Sequence, residues 1–129
     1  MAPLPTISAD VAARERRLLD RLLGLYGEQQ RLYAEVLELS RHERDLLRDG
    51  APLDQVRGLL AAKKRRLETI GRLDLTEAAS REQWRQGRRG WSADGRTRLH
   101  RALEDVGQLI EAILACEEEN DRELLQQCR

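Results

Sequence analysis

Apolar residues recur at alternating steps of three and four along most of this chain. One stripe runs Val11, Leu18, Leu22, Leu25, Leu32, Val36, Leu39, Leu46, and another Leu99, Leu103, Val106, Ile110, Ile113, Leu124. That spacing keeps one face of an α-helix apolar and marks helices that pack lengthwise. A second stripe, Leu19, Leu23, Tyr26, Tyr33, Leu37, Leu47, widens the first helix's apolar face enough to meet two neighbours. The pattern predicts an all-α, elongated antiparallel helical bundle of three long helical segments with coiled-coil-like packing.

Residues 1–7, with Pro3 and Pro5, read as a disordered N-terminal arm, and a single bundle domain occupies 8–129. Ser8 or Asp10 can cap a helix over about 8–48. Asp49-Gly50-Ala51-Pro52 then supplies a stop glycine and a proline suited to the next first turn. A second helix is predicted over about 52–73, with Val56, Leu59, Leu60, Leu67 and Ile70 inward. Its stripe positions then fill with Glu77, Ser80 and Arg81, so a break is expected near Asp74. Thr76 could cap a short, poorly anchored continuation over about 76–88 that holds Trp84. Ser92 or Asp94 can cap a last helix over about 93–128. Gly24, Gly27, Gly58, Gly71 and Gly107 each cost a helix about 1 kcal/mol relative to alanine. Close helix packing at small residues is one account of them, and a bundle kept pliable for a partner is the other.

Composition narrows the function. A chain of 129 residues, 40% of them apolar, can bury a real but thin core. With 23 basic and 23 acidic residues there is no net charge, so no global field draws the protein onto nucleic acid or an anionic membrane. The absence of a run of about 18 apolar residues argues against a membrane span. Met1 to Asp10 lacks the features of a signal peptide, so a cytoplasmic protein is expected. Cys116 and Cys128 fall roughly 18 Å apart along one predicted helix, too far for a disulfide, and read as free thiols. His42 and His100 sit in separate helices without ligand spacing, and no nucleophile triad, phosphate loop or glycine fingerprint appears. The expectation is a protein that is not an enzyme and needs no metal or cofactor.

Charge is unevenly distributed. Residues 81–101 carry seven arginines against Glu82 and Asp94, whereas 111–123 carry six acids against Arg122. Solvated or intramolecular charge is the plain reading and protein docking the next. A lower one places the basic segment on RNA, with Trp84 and Trp91 exposed to stack on bases.

Three stretches resemble FlgN-type flagellar export chaperones. They are Leu18-Leu19-Asp20-Arg21-Leu22-Leu23 with the leucines from Leu32 to Leu47, then Leu59-Leu60-Ala61-Ala62-Lys63-Lys64-Arg65-Arg66-Leu67, then Leu109 to Asn120. Glu119-Asn120-Asp121-Arg122 is similar to the acidic-Asn segment of that family's last helix, and the resemblance covers the chain from about Val11. It implies binding of FlgK- and FlgL-like hook-filament junction proteins through their terminal helical segments, which are kept unassembled until secretion, and contact with the export gate. An apolar groove between long helices can cover such an amphipathic segment. On the last helix, Val106, Ile110, Ile113, Leu114, Leu124 and Leu125 are the candidate apolar anchors, with Glu117, Glu118 and Asp121 setting register at the rim. Ordinary bundle core is the alternative for the apolar six, although Leu124 and Leu125 are expected to project past most of the bundle. The rival function is a structural coiled-coil or FliJ-like export-ATPase accessory protein, and a homodimer that closes the groove is equally compatible with the leucines.

Overall fold

The computed structural model describes residues 5–87 and 90–128, with side chains from residue 9 onward. Four helices follow in chain order: α1 (Pro5–Arg48), α2 (Leu53–Thr76), α3 (Ala78–Gln86) and α4 (Ala93–Gln127). The described residues contain no strand. α1 begins before the expected caps at Ser8 or Asp10, so residues 5–7 of the expected arm are helical. Proline is tolerated in a first turn, where backbone N–H groups lack an intrahelical acceptor anyway. The rest of that arm, residues 1–4, lies outside the described residues.

α1 stops where the glycine predicts. Gly50 adopts φ 69°, the left-handed conformation that costs glycine nothing. The Ala51 N–H then donates to the Leu46 carbonyl at 2.9 Å and the Gly50 N–H to the Leu47 carbonyl at 3.2 Å, the paired bonds of a Schellman stop. Pro52 precedes α2 as its N-cap residue.

α2 continues to Thr76, and the break falls at the single residue Glu77, with φ −101° and ψ 14°. Thr76 does not cap the next turn; its hydroxyl donates back to the Arg72 carbonyl at 2.9 Å. Asp74, expected at the break, is instead an anchor. Its carboxylate accepts from Gln29 Nε2 on α1 at 2.7 Å and lies 3.6 Å from the Arg81 guanidinium, which also donates to the Asp74 carbonyl at 3.0 Å. The α2–α3 junction is thereby tied to α1.

The expectation of a poorly anchored third helix is overturned by its tryptophan. Trp84 and Trp91 stack with centroids 5.0 Å apart and planes at 16°, and the Trp91 indole N–H donates to the Trp84 carbonyl at 2.6 Å. Both are buried against Leu18, Leu22, Leu25, Tyr26 and Leu99. Each leucine so buried contributes about 2 kcal/mol of transfer free energy, so this apolar knot anchors α3 and the start of α4 on α1. Gly87 is required there, because a Cβ would sit 2.5 Å from the Trp91 ring. The Ser92 hydroxyl accepts the Gly95 N–H at 3.0 Å and so caps α4, while the Glu15 carboxylate accepts the Ser92 N–H and ties that start to α1.

Pairing along α1 fixes the directions. Gln29 meets Asp74 and Glu43 meets Lys63, so α2 runs antiparallel to α1. Glu15 meets Ser92, Ser40 meets Glu117 and Arg48 meets Glu119, so α4 runs parallel to it. Both pack extensively on α1 and scarcely on each other. Close packing does not explain the five internal glycines: a Cβ at Gly24, Gly27, Gly58, Gly71 or Gly107 would meet no atom within 4 Å.

Candidate functional site

With α2 and α4 each resting on α1 and meeting one another only scarcely, a groove opens between them. Tyr33 and Val36 of α1 form its floor, Leu67 of α2 one wall, and Ile110, Ile113 and Leu114 of α4 the other. The open space is ≈ 380 Å³, room for a few aliphatic side chains. Leu60 and Leu67, expected inward, are 43% and 48% exposed, and Leu114 is 60% exposed. Contiguous apolar surface of this kind marks an interaction site more often than scattered leucines do.

One end of the groove is closed by charge. Lys63 Nζ lies 2.6 Å from Glu43 Oε1 and 2.6 Å from Glu117 Oε1, so it links α2 to both α1 and α4. Ser40 Oγ donates to the same Glu117 oxygen at 2.5 Å, and Asn120 Nδ2 donates to the Ser40 carbonyl at 3.0 Å. The Lys63 and Glu43 side chains are 7% and 1% exposed, Glu117 33%. Burial by itself would push the Lys63 ammonium towards losing its proton, but the hydrogen bonds to Glu117 and Glu43 outweigh it and its pKa is raised. The cation is therefore a fixed strut across the groove. Two carboxylates share it, which leaves formal negative charge where Glu117 faces the open space.

The residues expected to bind a client divide into three groups. Ile110, Ile113, Leu114 and Glu117 line the groove. Glu118, Asp121 and Leu125 are exposed outside the lining itself, and Leu124 is half-buried. Val106 belongs to the apolar core. Glu117 is not a free rim group, since Lys63 and Ser40 hold it. Leu124 and Leu125 do not project beyond the bundle either, because Gln127 reaches back to the Leu47 carbonyl near the end of α1. Tyr33, Val36 and Leu67 were legible only as core, and the Lys63 cluster had no part in the sequence reading. Its signal was nonetheless present: Lys63 occupies the stripe position between Val56 and Ile70, and Glu43 the one between Val36 and Leu47.

Other candidate chemistry is placed as follows. Trp84 and Trp91 are 9% and 6% exposed, so neither offers a face for base stacking. His42 and His100 are exposed, and His100 Nε2 lies 2.7 Å from Glu104. Among the described residues no group of three or more His, Cys, Asp or Glu is placed to hold a metal ion. Cys116 is buried and Cys128 exposed, both unpaired; burial chiefly pushes the Cys116 thiol pKa up. No helix among the described residues is long and apolar enough to cross a membrane. No protein-family model matches the chain, and no curated protein or solved structure matches it.

Proposed function

We propose that this chain is a non-catalytic cytoplasmic chaperone of flagellar export, which covers an amphipathic helical segment of a hook-filament junction protein until secretion. The observation that carries the reading is the groove between α2 and α4, floored by Tyr33 and Val36 and closed at one end by the Lys63 strut. A segment that becomes a helix in its final polymer presents an apolar stripe, and a groove walled by leucine and isoleucine on two helices removes that stripe from water. In this reading the bundle is three long segments with coiled-coil-like seams: α1, then α2 with α3 as its continuation, then α4.

The rival is a structural coiled-coil protein or export-ATPase accessory, favoured by the exposed seven-residue series Leu53, Leu60, Leu67. Size-exclusion chromatography with light scattering separates the two. The chain is run alone and with the C-terminal segment of a junction protein from the same genome. A complex of defined stoichiometry supports the chaperone, whereas a tight homo-oligomer that ignores the segment refutes it in favour of the rival.

A further inference from the structure

The two lips of the groove are matched in leucine and opposed in charge. On α2, Leu53, Arg57, Leu60, Lys64, Leu67 and Gly71 succeed one another at steps of four and three, all exposed. On α4, Gly107, Glu111, Leu114, Glu118, Asp121 and Leu125 repeat the same steps, all but Gly107 exposed. Such steps place residues on one helix face, and because Leu67 and Leu114 line the groove, each series runs along one lip. Each presents leucines with charged or small residues between, a row that a helix lying lengthwise in the groove would meet. The α2 lip carries Arg57 and Lys64; the α4 lip carries Glu111, Glu118 and Asp121. Among the described residues Arg57 pairs with Asp54 alone, at 3.7 Å in open solvent. Among the described residues, Lys64, Glu111, Glu118 and Asp121 form no ion pair. These charges are free to meet a third helix.

We infer that the groove takes a helix whose apolar stripe is bordered by acids on the flank facing α2 and by bases on the flank facing α4. This deepens the client-groove reading and rests on it for the biological source of the helix. Oppositely charged lips also fix polarity: turned end for end, the same helix would set its acids against Glu118 and Asp121, so it lies one way round only. A helix with like charge on both flanks gains at one lip what it loses at the other. The exposed α2 series from Leu53 to Gly71 is about 27 Å long, so an occupant that follows it past the Lys63 strut makes roughly five turns.

Three synthetic helical peptides of about 20 residues provide the probe. They share one apolar stripe and differ in their flanks: acid with base, acid on both, base on both. Each is titrated by fluorescence anisotropy against the full chain and against the Arg57→Glu, Lys64→Glu double variant, with circular dichroism to show that the two proteins fold alike. The acid-with-base peptide should bind tightest at low salt, by about tenfold, and lose that advantage at high salt. The double variant, with two acidic lips, should turn to the peptide with basic flanks. Equal affinities for the three peptides, or a variant that keeps the parent's ranking, overturn the inference. So does a free dimer that no peptide displaces, because a second copy is then the occupant. The junction-protein segment is titrated alongside. If it binds parent and variant equally, the polarity inference falls and the chaperone reading stands; if it fails to bind while the peptides rank as expected, the reverse holds.

Discussion

Lys63→Met tests whether the buried strut holds α2 to α1 and α4. Methionine keeps the length of the stem and removes the charge. What it strands is Glu43, a carboxylate with 1% of its side chain exposed and, among the described residues, no other cation within 4 Å. Removing one partner of a buried pair typically costs about 3–5 kcal/mol, because the remaining charge is left desolvated. Glu117 adds little to that figure, since it is a third exposed and water can replace Lys63 there. The net loss should be about 3 kcal/mol, a large share of the roughly 5–15 kcal/mol that holds a domain folded. Urea denaturation followed by circular dichroism measures it directly, and thermal melting should show a fall of roughly 10 °C. Adding Glu43→Gln to Lys63→Met should recover most of the loss by neutralising the stranded carboxylate. A loss under about 1 kcal/mol, or a double variant less stable than the single one, would refute the reasoning. The pH dependence follows from the direction of the Lys63 shift. Its pKa is raised above the ordinary 10.5, so its stabilisation is fully present below that value and disappears only as pH climbs through the higher folded value. The parent's advantage over Lys63→Met should therefore persist to about pH 10 and shrink only beyond it.

Further expectations concern packing, thiols and the groove. Gly87→Ala should destabilise the protein by about 1–3 kcal/mol and shift tryptophan fluorescence, because the new methyl would meet the Trp91 ring; an unchanged melt and spectrum would show the Trp84–Trp91 stack to be wrongly placed. Gly58→Ala and Gly71→Ala add methyls that touch nothing, so each should stabilise α2 by roughly 0.5–1 kcal/mol, and a loss in chemical denaturation would reveal a contact at those sites. A thiol reagent should modify Cys128 promptly and Cys116 only on unfolding, given the latter's burial and raised pKa; equal rates would contradict the α1–α4 packing. Leu114→Glu alters a side chain 60% exposed, so stability should move by less than about 0.5 kcal/mol while junction-segment binding in the light-scattering assay falls; binding that persists moves the client off this wall.

Helices and their ends were readable because they depend on local chemistry. The Gly50 stop, the Ser92 cap and the long stripes of α1 and α4 involve residues within a turn or two of one another. The α2–α3 break was misplaced by three residues for the opposite reason. Asp74 looks like a disruption in its own helix, yet Gln29, distant in sequence, satisfies it, and the helix continues to Thr76. Trp84 likewise sits in a polar, arginine-rich stretch that gives no hint of a core, and only Trp91 and the α1 leucines make it one. The internal glycines show the converse limit: small residues in a leucine-rich helix suggest close approach, and nothing approaches them.

The α2 wall of the groove was not legible in the sequence because its cause is not apolar. α2 offers two seven-residue series that could face α1: Leu53, Leu60, Leu67, and Val56, Lys63, Ile70. Apolar content favours the first, and the structure buries the second. Lys63 reverses the choice by finding Glu43 on α1 and Glu117 on α4, twenty and fifty-four residues away, partners no local pattern can announce. An unpaired lysine at that position would be prohibitive to bury, and α2 would turn its leucines onto α1. With the pair of carboxylates in place, the helix is held in the other rotation, and Leu60 and Leu67 are carried out to the lip. The same ion cluster that stabilises the bundle thus leaves one wall of the groove apolar and unpartnered. Substitutions at Lys63 should therefore disturb client binding even though the strut only closes the end of the groove.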